Sequence, residues 1–435
     1  MYWKSSKKVR ISGLLLMCVL SIPGFAIQGE PTVITFDDGA LDHAVYAFAE
    51  GDNLTLVVNY WHHDSSMQWA DLGLPDGASW IMDPSAVTYR GPDGVQYIDV
   101  FAQSSSDHLV VDHWDGTQWK WDDLTAQAES YWGYGPLAFS PAAITYLDQD
   151  GNRQVRVFSI DDQHYLWMST CDSLCITATG DWQFYQVTGP YFNNDLVDLP
   201  AAAHFVDSNG NGLTYVFADL AESGSAFIKI VGFSSSDSND PHLYSFGGSG
   251  RPGGNYVDSP AIITQDPGGA VFQSYPAPCA KLHVFVIGNT LFDNLGCRDT
   301  FFNDGGSSWV DDGLPPQMIQ QGDTIGRRPV VVSYIDPTDG LSRYHVFINH
   351  GSTFELFRAF WADESGPSWF DQGFSPNSSG AAVGSAVAFV DGVQYVYAFL
   401  KDGDTAHLVV NYCIGSDTCD GVNGQEWSWA DQGTM

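Results

Sequence analysis

The sequence predicts an all-β fold, a seven-bladed β-propeller whose blades are four-stranded antiparallel sheets. A short ending recurs seven times along the chain at intervals of 52 to 63 residues, and the segment before each ending divides into four short β-like runs. A repeat of this length is typical of architectures whose neighbouring units bury a common core. One open sheet of so many strands would curl or split, and solenoid coils use shorter units, so radial packing is favoured.

The recurring ending reads aromatic-x-Asp-x-Gly. Its best copies are Trp69-Asp71-Gly73, Trp309-Asp311-Gly313, Trp369-Asp371-Gly373 and Trp429-Asp431-Gly433; a weaker copy is Trp121-Asp123-Thr125, and two decayed copies are Phe184-Gln186-Thr188 and Phe246-Gly248-Gly250. We interpret the ending as scaffold, in which the Trp packs between sheets, the Asp accepts backbone N–H groups and the Gly allows a positive φ. The alternative is a multivalent binder with one site in every blade.

The four runs of each unit begin in characteristic ways. The first follows a proline (Pro84, Pro141, Pro329), the second carries an aromatic (Phe158, Phe285, Phe347), the third begins at a leucine (Leu56, Leu109, Leu408), and the fourth is the Trp-rich ending. Short alternating runs separated by Asp, Asn, Gly and Pro indicate hairpins, and no helical period is evident after residue 30. We place the blades near 31–76, 77–128, 129–190, 191–252, 253–315, 316–375 and 376–435. With these blade boundaries the first and last blades each consist of four consecutive strands, so the ring closes without exchange of a strand.

Residues 1–26 have the pattern of a secretory signal peptide. A basic start (Lys4, Lys7, Lys8, Arg10) precedes the mostly apolar stretch 11–22, and Gly24-Phe25-Ala26 forms a small-residue cleavage pattern. The sequence therefore predicts a secreted protein, extracellular or periplasmic, whose residues 27–435 form one propeller domain. The apolar stretch is too short for a membrane span and no later run reaches about 20 residues, so we expect no membrane insertion.

The chain is strongly acidic. Its formal net charge is −35, and all 52 Asp and Glu residues follow residue 26. Nucleic acids and anionic membrane surfaces would be repelled, so neither is an expected partner. We interpret the charge as a means of solubility outside the cell, and attraction of cations is the alternative.

Six cysteines follow the signal segment. Their spacing suggests three local disulfides, Cys171–Cys175, Cys279–Cys297 and Cys413–Cys419, each within one repeat. Export favours disulfides over metal ligation, although six cysteines permit fifteen pairings.

The position just after the third run suggests a binding surface. It holds Trp61, Trp114 and Trp361 in three blades, whereas Cys171 and Cys413 occupy it in two others, Cys297 follows one residue later in register, and Phe233 stands there in the weakest blade. Either residue type can clamp the hairpin between the third and fourth strands. The alternative is that the Trp faces stack on sugar rings.

Polar residues precede the third run. Asp107-His108-Leu109, His164-Tyr165-Leu166 and Ala406-His407-Leu408 place a histidine in what we take as one register, with Asp162 and Asp404 close before the last two. Turn hydrogen bonds, ligand contacts and metal binding are alternatives, with His62-His63 as a further metal candidate. Acidic turns at Asp148-x-Asp150-x-Asn152 and Asp207-x-Asn209-x-Asn211 resemble incomplete calcium loops, but ordinary hairpin turns are favoured. We therefore expect no cofactor, with calcium as the alternative.

At the level of the repeat, the chain resembles the seven-bladed bacterial propeller lectins. The resemblance is carried by the proline-led first strand, the aromatic second strand, openings such as Asp107-His108-Leu109, and the Gly73-Leu74-Pro75 exit from the Trp-rich strand. Many of those lectins bind fucose-type sugars, so the resemblance implies a carbohydrate-binding protein without catalytic activity, with glycans as partners. Their repeats are shorter and more uniform, and their sugar-binding residues are not assigned to positions here.

One turn is also similar to the Asp boxes of sialidase-like enzymes. Asp304-Gly305-Gly306-Ser307-Ser308-Trp309 has Asp, Gly and Trp at the right spacing, with Phe302 where Ser or Thr is usual, and Asp115-Gly116-Thr117-Gln118-Trp119 is one residue short. The arginine context of that family is missing, since Arg328-Pro329 lacks an intervening residue. We interpret the boxes as hairpin turns.

These observations favour a secreted lectin-like propeller without catalysis. The alternatives are a glycan-cleaving enzyme, with two carboxylates roughly 5–9 Å apart, and a protein-interaction propeller with an exposed apolar patch. The residues that we expect to contact ligand are Trp61, Trp114, Trp361, Asp107, His108, Asp404 and His407. No catalytic or metal-ligating residue is assigned.

The cysteine pattern gives a first prediction. Because all six cysteines after residue 26 are expected to pair, Ellman titration of denatured, unreduced mature protein should detect close to no free thiol. Detection of two or more thiols per chain would contradict the pairing.

Overall fold

The computed structural model describes residues 27–433 except for 38–42, 63–66, 92, 129–133, 149–150, 173–181, 188–198, 207–211, 223–224, 235–241, 246–260, 266–280, 288–289, 298–308, 327, 337–338, 340–341, 362–365, 376–379, 391–392, 416–418 and 420–426. Within this part of the chain the fold is all-β. Twenty-eight strands form seven four-stranded sheets, and each sheet consists of four consecutive strands.

The seven sheets, called blades 1 to 7, follow one another along the chain. Blade 1 contains β1 Thr32–Asp37, β2 His43–Glu50, β3 Leu56–His62 and β4 Gln68–Gly73. Blade 2 contains β5 Ser85–Arg90, β6 Gln96–Gln103, β7 Leu109–Trp114 and β8 Trp119–Asp123. Blade 3 contains β9 Ala142–Leu147, β10 Arg153–Ile160, β11 Leu166–Asp172 and β12 Trp182–Gln186. Blade 4 contains β13 Ala201–Val206, β14 Gly212–Glu222, β15 Ser225–Ser234 and β16 His242–Ser245.

Blade 5 contains β17 Ala261–Gln265, β18 Lys281–Ile287, β19 Leu291–Cys297 and β20 Trp309–Gly313. Blade 6 contains β21 Val330–Ile335, β22 Ser342–Asn349, β23 Leu356–Trp361 and β24 Ser368–Gly373. Blade 7 contains β25 Ala381–Val390, β26 Gln394–Asp402, β27 Leu408–Ile414 and β28 Ser428–Asp431. Two single-turn helices, α1 Leu124–Ala128 and α2 Pro316–Gln321, lie between blades and were not expected from the sequence.

The blades are arranged in a ring. All strand pairs are antiparallel, and the order of strands in each sheet is their order in the sequence. The first strand of every blade contacts the first strands of both neighbouring blades, and β1 contacts β25. This arrangement is a β-propeller of seven blades, in agreement with the number of recurring endings. The last blade is completed by its own fourth strand, so no strand is exchanged at closure.

The core is organised around one phenylalanine in the second strand of every blade. These seven side chains are fully buried: Phe48, Phe101, Phe158, Phe217, Phe285, Phe347 and Phe399. Burying a side chain of this size stabilises the fold by about 1.5–3 kcal/mol. The aromatic residue noted in the second run of the repeat is therefore the centre of the packing between blades.

The recurring ending joins each blade to the preceding one. The indole N–H of the ending's Trp donates to the carbonyl between the Asp and Gly of the previous ending: Trp69 to Gln432 (3.2 Å), Trp121 to Leu72 (3.0 Å), Trp369 to Asp312 (3.3 Å) and Trp429 to Gln372 (2.9 Å). The first of these bonds spans the closure of the ring. Closure therefore uses the same contact as the other interfaces.

The Asp and Gly of the ending form the turn that presents this carbonyl. In the four best copies the Asp Oδ1 accepts the Gly N–H at 2.7–2.9 Å, and the Gly has a φ of 69–78°. A register shift beside the turn separates the residue between them from the ladder in three blades. The scaffold interpretation of all three motif positions is confirmed.

The linkers before the first strands add a second connection. Three of them donate a backbone N–H to the turn before the third strand of the preceding blade: Ile27 to Ala406 (2.7 Å), Ile81 to Leu54 (3.3 Å) and Leu137 to Asp107 (2.7 Å). Each accepting residue has a positive φ, between 54° and 66°. The donors are buried, so each linker is fixed both by packing and by this bond.

The disulfide predictions are confirmed where they can be described. Cys413 and Cys419 form a disulfide, as expected from their spacing. Cys171 is also disulfide-bonded, but Cys175 lies outside the described residues. The same is true of Cys279, so the pair Cys279–Cys297 stays a prediction.

The turn of the recurring ending can be tested at Gly73. A Cβ at this residue meets no atom within 4 Å, and φ is +78°. Gly73→Val should therefore lower the free energy of unfolding by about 1–2 kcal/mol through backbone strain alone, while Gly73→Asn should cost less because Asn tolerates the left-handed region. Urea unfolding of both variants measures the difference. Equal costs would show that φ is not the constraint.

Candidate functional site

Each blade covers the buried phenylalanine of the preceding blade with a tryptophan, where that position is described. In two blades this Trp comes from the end of the third strand: Trp61 lies on Phe399, and Trp361 lies on Phe285, with ring centroids 5.6 and 5.5 Å apart. Trp61 and Trp361 are only 8% and 2% exposed. Both are therefore committed to packing between blades, and neither presents a free face to a ligand.

In three other blades the covering Trp stands where the fourth strand begins: it is the first residue of β8 and of β12, and in blade 7 it directly precedes β28. Trp119 lies on Phe48, Trp182 on Phe101 and Trp427 on Phe347, with ring centroids 5.7–5.9 Å apart in edge-on geometry. Blades 3 and 7 place a disulfide-bonded cysteine beside this Trp: Cys171 pairs with Trp182 in the ladder, and Cys413 belongs to the core on which Trp427 packs. The alternation of Trp and Cys after the third run thus reflects two ways of covering the same phenylalanine.

Blade 2 is the exception because it has both tryptophans. Trp114 ends β7 and Trp119 begins β8, directly opposite each other in the ladder. Since Trp119 covers Phe48, Trp114 is not required for that purpose; it is half-buried and its ring centroid lies 5.5 Å from that of Trp119. Among the predicted ligand-contacting tryptophans, Trp114 alone retains an accessible face.

Two tyrosines of blade 1 pack on the same core as Trp114 and Trp119. Tyr46 and Tyr60 stack with ring centroids 5.5 Å apart and an interplanar angle of 12°, and both are half-buried. The Tyr60 hydroxyl donates to Gln68 Oε1 at 3.0 Å. Tyr46, Tyr60, Trp114 and Trp119 pack on the core shared by blades 1 and 2. We call these four residues the 1–2 aromatic cluster.

A buried acid lies beside this cluster. Asp112 is two residues before Trp114 on the same face of β7 and is fully buried, and neither of its carboxylate oxygens has a hydrogen-bond partner. Burial raises the pKa of Asp112 to about 8, and the negative charges of Asp99 and Asp122 add to this shift. The backbone N–H of Lys120 lies close enough to oppose the shift but is outside hydrogen-bond geometry. Sequence reasoning missed this residue, because Asn59 and Asn411 at the equivalent position look like ordinary strand residues.

The predicted Asp and His residues lie at the opposite end of the third strand. His108 Nδ1 is 2.7 Å from Asp123 Oδ2, and His407 Nδ1 is 3.0 Å from Asp431 Oδ1. Each histidine therefore contacts the ending of its own blade, in agreement with turn stabilisation. Asp107 is exposed, accepts from Gln103 Nε2 at 3.0 Å and serves as a backbone acceptor for the next linker.

Asp404 is exposed in the turn before β27, where its backbone N–H donates to Asp402 Oδ1 at 3.1 Å. The turn groups and the tryptophans do not form one site, because six residues of strand separate His108 from Trp114, about 20 Å. The expected grouping of the two sets is therefore wrong. The shared histidine register is also wrong for His164, which has the positive φ of Asp107 and Ala406 and thus precedes the register of His108 and His407 by one residue.

The other predicted motifs give ordinary turns where they are described. Asp115 Oδ1 accepts the backbone N–H groups of Thr117 and Gln118 at 2.8 and 2.9 Å, as expected of a hairpin turn. Asp148 caps the Asn152 N–H at 2.8 Å. The segments 207–211 and 304–308, the residues Asp150 and His63, and the side chains of His62 and Phe233 lie outside the described residues.

Two searches cover the described part of the chain. No group of three or more His, Cys, Asp or Glu side chains there has the geometry of a metal site. Neither α1 nor α2 is long and apolar enough to span a bilayer, and no other described segment forms such a helix.

A charged cluster lies at one end of the ring of first strands. Arg328, just before β21, pairs with Glu30, just before β1, at 2.8 Å. Asp83 Oδ1 accepts the Glu30 backbone N–H at 2.9 Å, and Lys401 Nζ donates to the Gln28 carbonyl. These contacts tie blade 1 to blades 2, 6 and 7. Arg328 is thus a structural residue here, in agreement with its sequence context.

Comparisons with known proteins identify no family. No family model matches the chain, and no curated protein matches it. Among solved structures, the fucose-binding lectin of Aleuria aurantia, a six-bladed β-propeller, is 14% identical over 81% of this chain and 96% of its own, with a TM-score of 0.46. A mutant of AofleA from Arthrobotrys oligospora is 10% identical over 81% and 89%, with a TM-score of 0.45. A fucose lectin from Kordia zhangzhouensis is 20% identical over 36% and 99%, with a TM-score of 0.28.

These comparisons correct one detail of the resemblance. The chain is similar to propeller lectins, as the repeats suggested, but the lectin whose blade number is stated has six blades, whereas this chain has seven sheets. The resemblance to propeller lectins is shown, whereas a relation to the seven-bladed bacterial lectins is not shown by these structures. The number of blades rests on the sheets of this chain.

The charged cluster predicts a pH dependence of stability. Burial and the charge of Asp83 raise the pKa of Glu50 from 4.5 to about 7, with Lys401 opposing. Because the folded state then holds this proton more tightly than the unfolded chain, the free energy of unfolding decreases as the pH rises from about 4.5 to 7. Glu50→Gln should remove this decrease, so its stability relative to wild type should be about 1 kcal/mol more favourable at pH 8 than at pH 4, after allowance for the half-exposed side chain.

Thermal melts of Glu50→Gln across pH 4–8 measure this effect. Asp76→Asn is the control, since Asp76 is exposed. A Glu50→Gln variant whose stability follows the wild-type curve at every pH would show that Glu50 does not carry the raised pKa.

Proposed function

We propose that the protein is a secreted, lectin-like propeller that binds carbohydrate without chemical catalysis, and that the 1–2 aromatic cluster is its binding site. The similarity to propeller lectins is too distant to identify a ligand. The proposal therefore depends on the side chains of blades 1 and 2. The single observation that carries it is that Trp114 is surplus to the packing between blades.

The repeat explains why this surplus is informative. A Trp in a propeller interface is ordinarily scaffold, and in the four other described interfaces with a covering Trp one suffices. Blade 2 retains a second Trp that is half-buried and packs on the same core as two stacked tyrosines of blade 1. Trp114 packs on Trp119 and on the shared core, but its remaining accessible surface is not used by the packing between blades, and a ligand that covers it gives a reason for its presence.

The cluster has the chemistry that a sugar requires. Aromatic faces match the apolar C–H face of a pyranose, and the exposed Gln68 beside Tyr60 offers an amide to its hydroxyls. Stacking of this kind contributes roughly 1 kcal/mol beyond the area that it buries. A single site is therefore weak, on the order of millimolar affinity.

The proposals of secretion and of glycan partners depend on the sequence. Secretion follows from the signal-like segment 1–26 and agrees with the disulfide in blade 7. Glycans are the proposed partners. Of the predicted ligand residues, Trp114 is retained in the site, while Trp61 and Trp361 are assigned to packing and the turn residues Asp107, His108, Asp404 and His407 to a different end of the blades.

The proposal predicts opposite results for two tryptophans. Trp114→Ala should weaken binding to glycans identified on an array by about tenfold, because one stacking face is lost, yet change the melting temperature little. Trp61→Ala, the matched buried control, should destabilise the protein by about 3–5 kcal/mol because it leaves a cavity.

Isothermal titration and thermal melts on both variants provide the measurement. If Trp114→Ala lowers the melting temperature as much as Trp61→Ala while the affinity per folded molecule is unchanged, Trp114 is a hairpin clamp and the site assignment fails. If the wild-type protein binds no glycan on the array, the proposed function itself fails.

A further inference from the structure

We propose that the 1–2 aromatic cluster selects sugars with a free amino group, and that Asp112 receives the ammonium. This inference rests on the proposed function, since it names the class of sugar for the same site. It starts from the position three residues after the leucine that opens each third strand. The described residues at this position are Asn59, Asp112, Ser169, Ala359 and Asn411.

Among these five described residues, Asp112 is the only acid. Asn59 and Asn411 are likewise buried without hydrogen-bond partners, but an amide buried in this way is neutral. A carboxylate without a partner costs far more to bury, which makes its presence costly unless a cation or a proton compensates it. The same blade carries the surplus Trp114. Two departures from the repeat therefore coincide in one interface.

The two residues are placed to act on one ligand. Asp112 and Trp114 are two residues apart in β7, so their side chains lie on the same face and their Cα atoms are about 7 Å apart. We infer that a sugar ring stacked on Trp114 directs an ammonium substituent along the strand toward the Asp112 carboxylate. Trp119 and the stacked tyrosines supply aromatic faces, which attract cations more strongly when water is excluded.

The neighbouring charges favour a cation over an anion at this point. Asp99 and Asp122 both act on Asp112 and raise its pKa. The basic residue nearby, Lys120, is exposed and pairs with Asp122 at 3.8 Å. His113, the next residue of β7, lies on the opposite face of the sheet, where it bonds to Asp99. When an ammonium binds, the Asp112 carboxyl loses its proton to solvent and an ion pair replaces a buried neutral acid.

The alternative role for Asp112 is that of a neutral acid that donates a hydrogen bond to a sugar hydroxyl. That role would give no preference for amino sugars. The two roles are separated by one substitution, Asp112→Asn, because the amide keeps the shape and the hydrogen-bonding capacity but cannot pair with an ammonium. The chain itself accepts this residue at the equivalent positions Asn59 and Asn411, so the variant is expected to fold.

The test uses glucosamine oligomers and their N-acetylated counterparts of equal length as probes. By isothermal titration at pH 7, the wild-type protein should bind the amino oligomer at least about tenfold more tightly than the acetylated one. Asp112→Asn should reduce this ratio to about twofold or less while its melting temperature is unchanged or higher. Asn59→Asp, the reverse change in the neighbouring interface, should leave the ratio as in wild type.

Each result decides between the inference and the proposed function. Equal binding of the two oligomers to the wild-type protein, or a preference that persists in Asp112→Asn, overturns the role of Asp112. If the array shows binding to neutral glycans in that case, the carbohydrate-binding proposal survives alone. Binding of the amino oligomer that is unaffected by both Asp112→Asn and Trp114→Ala would indicate nonspecific attraction to the acidic surface and also overturn the inference.

Discussion

The fold depends on the hydrogen bond between the indole N–H of one blade's ending and a backbone carbonyl of the preceding ending. The accepting carbonyl belongs to the residue between Asp and Gly, and the Asp–Gly turn takes it out of the strand ladder. One five-residue motif therefore serves as donor toward one neighbour and as acceptor toward the other. Because the motif is self-complementary around a ring, Trp69 can close on Gln432 with the same bond as within the chain. Closure needs neither strand exchange nor a disulfide across the seam.

The buried phenylalanines impose a second constraint with more than one solution. In the five interfaces where the covering residue is described, the next blade covers the phenylalanine either with a Trp at the end of the third strand or with a Trp at the start of the fourth. The second solution places a cysteine at the end of the third strand in blades 3 and 7. The disulfide in blade 7 thus accompanies one way of packing rather than adding an independent feature. Where an interface has both tryptophans, one of them is not needed to cover the phenylalanine.

Much of this architecture could be predicted from the sequence, because it depends on local patterns. The period of the ending gave the blades, and the proline, aromatic and leucine starts gave the strands. The relative placement of functional residues could not be predicted in the same way. Asp107 and Trp114 are close in sequence, but an extended strand separates them by its whole length.

The accessibility of a tryptophan is a different problem, because it is set by the neighbouring blade. Trp61 and Trp114 occupy equivalent positions, yet Met67 faces the first and Trp119 the second. A signal was present in the sequence: a Trp stands two residues before the ending's aromatic at Trp119, Trp182 and Trp427. Read together with the residue that ends the third strand, it identifies blade 2 as the only one of these with two tryptophans.

The number of accessible tryptophans determines whether weak sites could act together through multivalency. If every blade had kept an accessible Trp, binding through several equivalent sites would have increased the apparent affinity without a strong individual site. In the interfaces formed by Trp61 and Trp361, the aromatic residue is instead committed to packing, so those interfaces cannot contribute copies of the site. At the 1–2 aromatic cluster, the proposed site, affinity would then have to come from the site itself. In the proposed site, an ion pair between the buried Asp112 carboxylate and a ligand cation would add to stacking on Trp114 the affinity that multivalency otherwise supplies.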